Sequence, residues 1–190
     1  MPVGPASFEA RYAADGDHWD FSGSAYEQRR YDLTMAMLPQ RRYRHGVEPA
    51  CATGELTARL ATRCDRVSAF DGSPTVVAMA AGRLTGVGNV ELSTASLPGY
   101  WPECPADLVV LSELGYYFDA TGWTAIIERA VLGLDRQGTV VAVHWLGHSA
   151  DHLRHGDEVH ADLHAVLGPP DGAYRQREFR LDWWHSVRIG

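Results

Sequence analysis

The chain has 190 residues, a formal charge of −7 and 45% hydrophobic residues, enough for one core that buries roughly 70% of the unfolded surface. All 17 basic residues are arginine and none is lysine, which excludes a lysine Schiff base, a pyridoxal phosphate anchor and a Walker-type phosphate lysine. The acidic balance, with a pI near 5.7, argues against holding nucleic acid over a broad face.

Cys51, Cys64 and Cys104 make an odd count without a C-x-x-C pair, so neither a disulfide framework nor a zinc ribbon is expected. No N-terminal basic-then-apolar segment and no long apolar window occur, and the expectation is a soluble cytoplasmic protein with no membrane partner. Residues 1–20, broken by Pro2, Pro5 and Gly16, read as an irregular arm. Ser24 followed by Glu27 forms a capping-box pattern, and Tyr26, Tyr31, Leu33, Met35 and Met37 predict a helix that Pro39 stops. Arg41, Arg42 and Arg44 read as a solvated link rather than an anion site.

From residue 43 short apolar runs at 44–49, 66–70, 89–92, 107–112 and 138–145 alternate with helix-like segments at 54–63, 74–84 and 122–133, with a less regular stretch at 93–106. This rhythm predicts an α/β fold, a Rossmann-like doubly wound, mostly parallel sheet. The run Asp107-Leu108-Val109-Val110-Leu111 is apolar on both faces, as a central parallel strand must be. A histidine-rich linker then leads to a helix at about 157–167 and a strand-like tail at 173–188, which suits an antiparallel C-terminal strand. The chain is read as a single domain over 1–190, divided into an N-terminal arm and helical lid (1–40), a cofactor-binding core (43–146) and an acceptor-side helix and strand (147–190).

The first strand runs into Val47-Glu48-Pro49-Ala50-Cys51-Ala52-Thr53-Gly54, small residues that let a ligand approach the backbone beside a helix N-terminus with free N–H donors. Asp71 closes the next strand, where a carboxylate can accept both ribose hydroxyls of a nucleoside. A dinucleotide G-x-G-x-x-G pattern fails, because its third glycine position is Glu55.

The alternative pattern, acid-x-G-x-G-x-G, maps onto Glu48, Ala50, Ala52 and Gly54. It resembles motif I of class I S-adenosylmethionine-dependent methyltransferases, written E-x-G-C-G-T-G in this branch. Glu48, Cys51, Thr53 and Gly54 match; Ala50 and Ala52 replace two glycines, so the loop either sits slightly further from the cofactor or accepts only φ < 0. Asp71-Gly72-Ser73 resembles the family's D-x-S. The run Asp107 to Leu114 with Tyr116-Tyr117 resembles motif IV, and Gly138 opens the fifth strand as in the family. Tyr12, Trp19, Ser24 to Tyr31, Ser112 to Tyr117, His144-Trp145 and Gly156 to His160 are similar to the NodS-like nodulation N-methyltransferases.

The resemblance implies that Glu48, Ala50, Cys51, Ala52, Thr53 and Gly54, with Asp71, Gly72, Ser73 and Ser112, bind S-adenosylmethionine. Where many relatives place an aspartate for the adenine, this chain has Ala95, Ser96 and Leu97, and the Ser96 hydroxyl or a backbone carbonyl is expected to serve. Trp19 and Tyr26 are expected to cover the cofactor, beside its sulfonium. Because open sheets bind ligands at the carboxyl ends of strands, Glu113 and His144 are candidate bases, and the resemblance adds His160, with Glu158, on the acceptor side.

The implied activity is methyl transfer to a small-molecule acceptor, most simply an amine such as that of an amino sugar or natural product, with a small-molecule O-methyltransferase or a catalytically degenerate cofactor-binding relative as alternatives. His148/His152 and His160/His164 have i, i+4 spacing that could place two imidazoles on one metal, but no third ligand is fixed and no metal is expected. Asp157 is expected to cap the helix that starts there. Trp183 and Trp184 point to opposite faces of a strand, one in the core and the other exposed or at a homodimer contact.

Overall fold

The computed structural model describes residues 5–103 and 105–186. Cys104, the first four residues of the predicted arm and the end of the predicted tail at 187–188 lie outside them. The fold is α/β and Rossmann-like, with seven strands in a mostly parallel sheet whose C-terminal strands are antiparallel. Two compact units divide between Tyr100 and Trp101.

The first unit opens with α1 (Pro5–Asp15), where an irregular arm was expected. Pro5 occupies the first position, the one place a helix tolerates it, and Gly16 stops the helix at φ +62. The Pro and Gly read as breakers are therefore its two punctuation marks. Helix α2 (Ala25–Met37) forms as predicted, with the Ser24 hydroxyl accepting from the Glu27 amide at 3.4 Å. Its buried stripe is Glu27, Arg30, Tyr31 and Thr34 rather than the apolar Leu33, Met35 and Met37. Arg30 pairs with Glu27 and lies 4.7 Å over the Tyr31 ring, so the buried cation is partnered as burial requires.

Strands β1 (Tyr43–Pro49), β2 (Cys64–Asp71) and β3 (Val90–Thr94) pair in parallel in the order β3-β2-β1. Helices α3 (Glu55–Ala61) and α4 (Pro74–Arg83) form the connections. Pro74 starts α4 and the Ser73 hydroxyl accepts from the Val76 amide at 3.1 Å. Arg41 and Arg42 form the expected solvated link, Arg42 pairing with Asp65 at 2.5 Å, whereas Arg44, also exposed, lies within β1 rather than before it.

In the second unit β4 (Ala106–Ser112) is buried from Ala106 to Leu111, and it pairs in parallel with β5 (Leu134–Trp145). Between them α5 (Ala120–Leu132) buries Trp123, Ile126, Ile127, Ala130 and Val131, the i, i+3, i+4, i+7 stripe of a helix covering a sheet. Strand β5 starts four residues before Gly138, which lies inside it next to the register shift between Ala106 and Leu108.

Helix α6 (Gly156–Leu167) is capped by His155, not Asp157. The His155 Nδ1 accepts from the Asp157 amide at 3.2 Å and the Glu158 carboxylate accepts from the His155 amide at 2.7 Å. The Asp157 carboxylate turns instead to Arg175. The predicted single tail strand is a hairpin of β6 (Gly172–Arg175) and β7 (Phe179–His185), with β7 antiparallel to β5. Trp184 is buried and Trp183 half-buried, on opposite faces as predicted.

Candidate active site

The loop from β1 to α3 is shaped by backbone conformation before any side chain acts. Ala50, Ala52 and Gly54 all adopt the left-handed region, with φ of +55, +47 and +79. Alanine does not restrict the loop to negative φ: the chain accepts the glycine-type geometry and its strain. The Cys51 amide bonds the Phe70 carbonyl at 3.1 Å, and the Gly54 amide bonds the Cys51 carbonyl at 3.0 Å. A Cβ on Gly54 would stand 3.1 Å from the Ala80 Cβ, so α3 and α4 pack closely here.

Asp71 braces this loop from the end of β2. Its carboxylate accepts from the Ala52 amide at 3.1 Å and the Ser73 amide at 3.0 Å. Burial pushes its pKa up, against the lowering effect of the backbone amides of Ser73, Ala52 and Gly72. These amide contacts leave lone-pair capacity on a carboxylate that offers about four sites. Thr53 is 2% exposed and its hydroxyl has no partner, an orphaned polar group of the kind that a bound ligand satisfies.

Glu48 lies beneath the loop, 3% exposed, and accepts from the Thr57 hydroxyl at 2.6 Å. Burial pushes its pKa up to about 8, opposed by the Thr57 bond and by Arg30. Cys51 is buried, and burial raises its thiol pKa first, with Glu48 and Asp71 adding to the rise. The Ser73 hydroxyl is committed to the Val76 amide and to Glu9 of α1, at 2.5 Å, while Glu9 also accepts from the Thr75 hydroxyl at 2.6 Å. Gly72, Ser96 and Leu97 are half-buried, and the Ala95 amide bonds the Asp71 carbonyl at 2.9 Å. Trp19 sits among aromatic rings, stacked on Phe21 at 5.8 Å and tilted on Tyr12 at 5.4 Å. Tyr26 is half-buried on α2.

In the second unit, Ser112 ends β4 half-buried and Glu113 follows at φ +57, a strained conformation for a non-glycine residue. Its amide is held by the Val143 carbonyl at 2.9 Å and its carboxylate accepts from the Tyr116 hydroxyl. The Tyr116 ring stacks on His152 at 3.8 Å, and burial lowers the His152 pKa.

His144 and His160 are not free bases. Both are 0% exposed. His144 bonds the Gly115 amide at 3.1 Å and the His160 ring at 3.2 Å. His160 also bonds Asp182 at 2.8 Å, and Glu158 is exposed as part of the α6 cap. The His160 and His164 rings converge on the Asp182 carboxylate. Among the described residues no cluster of three or more His, Cys, Asp and Glu could hold a metal ion.

Sequence reasoning missed Asp182 and Glu9. The only signal for Asp182 was a carboxylate in a strand of alternating apolar residues, and for Glu9 a lone acid in the arm.

The family model described as "Nodulation protein S (NodS)" matches residues 7–144. The chain belongs to the NodS family. It is 28% identical to Nodulation protein S of Sinorhizobium fredii over 125 residues, 65% of this chain and 56% of that protein. It spans about half the length of the curated NodS relatives it matches. A candidate methyltransferase from Pseudomonas syringae is similar in structure with a TM-score of 0.77 and 37% identity, covering 85% of this chain and 99% of that one. The N-methyltransferase NodS of Bradyrhizobium japonicum WM9, solved in complex with S-adenosyl-L-homocysteine, shares the fold with a TM-score of 0.83 at 20% identity, covering 95% of this chain and 97% of that one. No helix among the described residues is long and apolar enough to cross a membrane.

Proposed function

We propose that this NodS-family chain is an S-adenosylmethionine-dependent methyltransferase that methylates the nitrogen of a small amine. The observation that carries the reading is the β1–α3 loop. Three left-handed residues at Ala50, Ala52 and Gly54, the Asp71 carboxylate held to the Ala52 amide and the unpartnered buried Thr53 hydroxyl together fit a nucleoside cofactor. When bound, that cofactor supplies an electrophilic methyl group on a sulfonium.

Residues 50–54 would line it with backbone and small side chains, Asp71 would take the ribose hydroxyls on its remaining lone pairs, and Gly72, Ser96 and Leu97 would meet the base. Trp19 and Tyr26 remain the proposed cover. Glu48 supports the loop from below, and Ser73 fixes the start of α4. The acceptor amine forms its new bond to the methyl carbon as the carbon–sulfur bond breaks, and it must lose a proton. Glu113 is the group proposed to take it, because it directly follows the carboxyl end of β4 and its carboxylate is oriented by the Tyr116 hydroxyl. Substrate alignment contributes the larger share of the rate. The NodS name of the relatives supports the amine reading, and glucosamine is the first probe.

Calorimetry with S-adenosylhomocysteine is the direct test: binding in the micromolar range is expected, and no binding at high micromolar concentration overturns the reading. Transfer of labelled methyl to glucosamine and simple alkylamines, against a panel of alcohols and phenols, then separates N- from O-methylation. The variant Glu113→Gln should keep S-adenosylhomocysteine affinity and lose about 100-fold or more in rate; a rate within twofold of native removes Glu113 from the chemistry.

A further inference from the structure

The second unit carries a buried row of polar groups that the chemistry above does not use. The Gly115 amide lies 3.1 Å from His144 Nε2, His144 Nδ1 lies 3.2 Å from His160 Nε2, and His160 Nδ1 lies 2.8 Å from an Asp182 oxygen. His144, His160 and Asp182 are each 0% exposed.

The proton positions along this row follow from its two ends. A backbone N–H can only donate, so His144 Nε2 must carry a lone pair and His144 Nδ1 carries the hydrogen. That hydrogen needs an acceptor, so His160 Nε2 is unprotonated and His160 Nδ1 donates to the carboxylate. Asp182 is an ionised acceptor, because His160, His164 and Arg180 hold its pKa far below the usual carboxylate range despite its burial. The Arg180 guanidinium approaches it at 2.8 Å and His164 at 2.8 Å. Burial keeps His160 neutral, outweighing the pull of Asp182.

We infer that Asp182 is a positioning residue. Acting through two ordered histidines, it fixes the tautomer of His144 and thereby holds the turn at Gly115, between the left-handed Glu113 and Tyr116, whose hydroxyl bonds the Glu113 carboxylate. Its link to catalysis rests on the proposed role of Glu113; its effect on the turn does not.

The test uses the full chain with ¹⁵N-labelled histidine. The native protein shows protonated Nδ1 at both His144 and His160; protonated Nε2 at His144 overturns the inference. In Asp182→Leu the carboxylate that accepts from His160 Nδ1 is gone, so the reversed pair of imidazoles, with His144 Nε2–H opposing the Gly115 amide, becomes populated. Gly115 amide exchange then accelerates by about tenfold to 100-fold, and methyl transfer to glucosamine falls similarly in kcat with S-adenosylhomocysteine affinity unchanged.

Asparagine at position 182 keeps an acceptor: its amide oxygen takes the place of the Asp182 oxygen on which His160, His164 and Arg180 converge. Asp182→Asn therefore leaves both tautomers in place and changes Gly115 exchange by less than twofold. Equal acceleration in Asp182→Leu and Asp182→Asn identifies Asp182 as a mere charge partner of Arg180 and His164 and refutes the inference. If methyl transfer is absent altogether, the proposed function fails while the ¹⁵N and exchange readouts still decide the role of Asp182.

Discussion

Replacing Ala50 by glycine should stabilise this protein, against the usual cost of glycine. A left-handed conformation costs an L-residue about 1–2 kcal/mol, and Ala50 sits at φ +55. Glycine removes that cost but returns about 0.4–1 kcal/mol of entropy to the unfolded chain. Ala50 is exposed, so its methyl takes little packing with it. The net gain is about 0.5–1 kcal/mol, or roughly 1–4 °C in Tm for a chain of this size. Ala52→Gly should gain less, because Ala52 is half-buried and its methyl has contacts to lose. The control is Ala161→Gly, at an exposed position inside α6, where the same change should cost about 0.5–1 kcal/mol. Differential scanning calorimetry of the three variants reads the signs directly. A lower Tm for Ala50→Gly than for the native chain would refute the claim that the loop stores strain at this residue.

Two further outcomes follow from buried groups. Glu48 has its pKa raised to about 8 in the fold from 4.5. The unfolded chain therefore binds fewer protons between these values, and stability falls as pH rises. The contribution is fully present below about pH 4.5 and lost as pH passes through about 8. Glu48→Gln, neutral throughout, should gain on the native protein by up to a few kcal/mol between pH 5 and pH 8 in urea unfolding; a constant difference across that window contradicts the burial argument. Gly115→Ala would drive a Cβ into Val159 and to 3.0 Å from the Trp123 ring. It should cost about 1–3 kcal/mol, read as a fall of roughly 2–12 °C in Tm, and an unchanged Tm would show that the turn can yield.

The parts of the fold legible in the sequence are those where burial dictates composition. Strands β4 and β5 are apolar on both faces because they are covered on both, and the Glu48 to Gly54 loop announces itself by its small residues. Helix α1 was hidden because proline and glycine mark helix ends as readily as loops. The polar buried face of α2 was hidden because periodicity follows apolar residues, whereas Glu27 and Arg30 are buried as a pair. The β6–β7 hairpin turns through Gln176, Arg177 and Glu178, which carry none of the usual turn chemistry. The histidine spacing was visible, but its meaning depended on Asp182, 22 residues beyond His160; only the tertiary structure shows that His160 and His164 share that carboxylate.

Strain points to function more specifically than composition does. Among the described residues, five non-glycine positions have positive φ, and three of them, Ala50, Ala52 and Glu113, lie within three residues of the carboxyl ends of β1 or β4. The carboxyl ends of parallel strands are where open α/β sheets bind their ligands. Each such conformation costs of order 1–3 kcal/mol and persists only where its surroundings over-determine it. Here those surroundings are identifiable: Asp71 grips the amide of Ala52, the Val143 carbonyl grips the amide of Glu113, and Tyr116 grips its carboxylate. Each hydrogen bond contributes only about 0.5–1.5 kcal/mol net, so these braces roughly offset the strain and leave little surplus stability. A loop that folding alone shaped would have relaxed to negative φ at two alanines. That these do not is physical support for the cofactor site proposed at this loop.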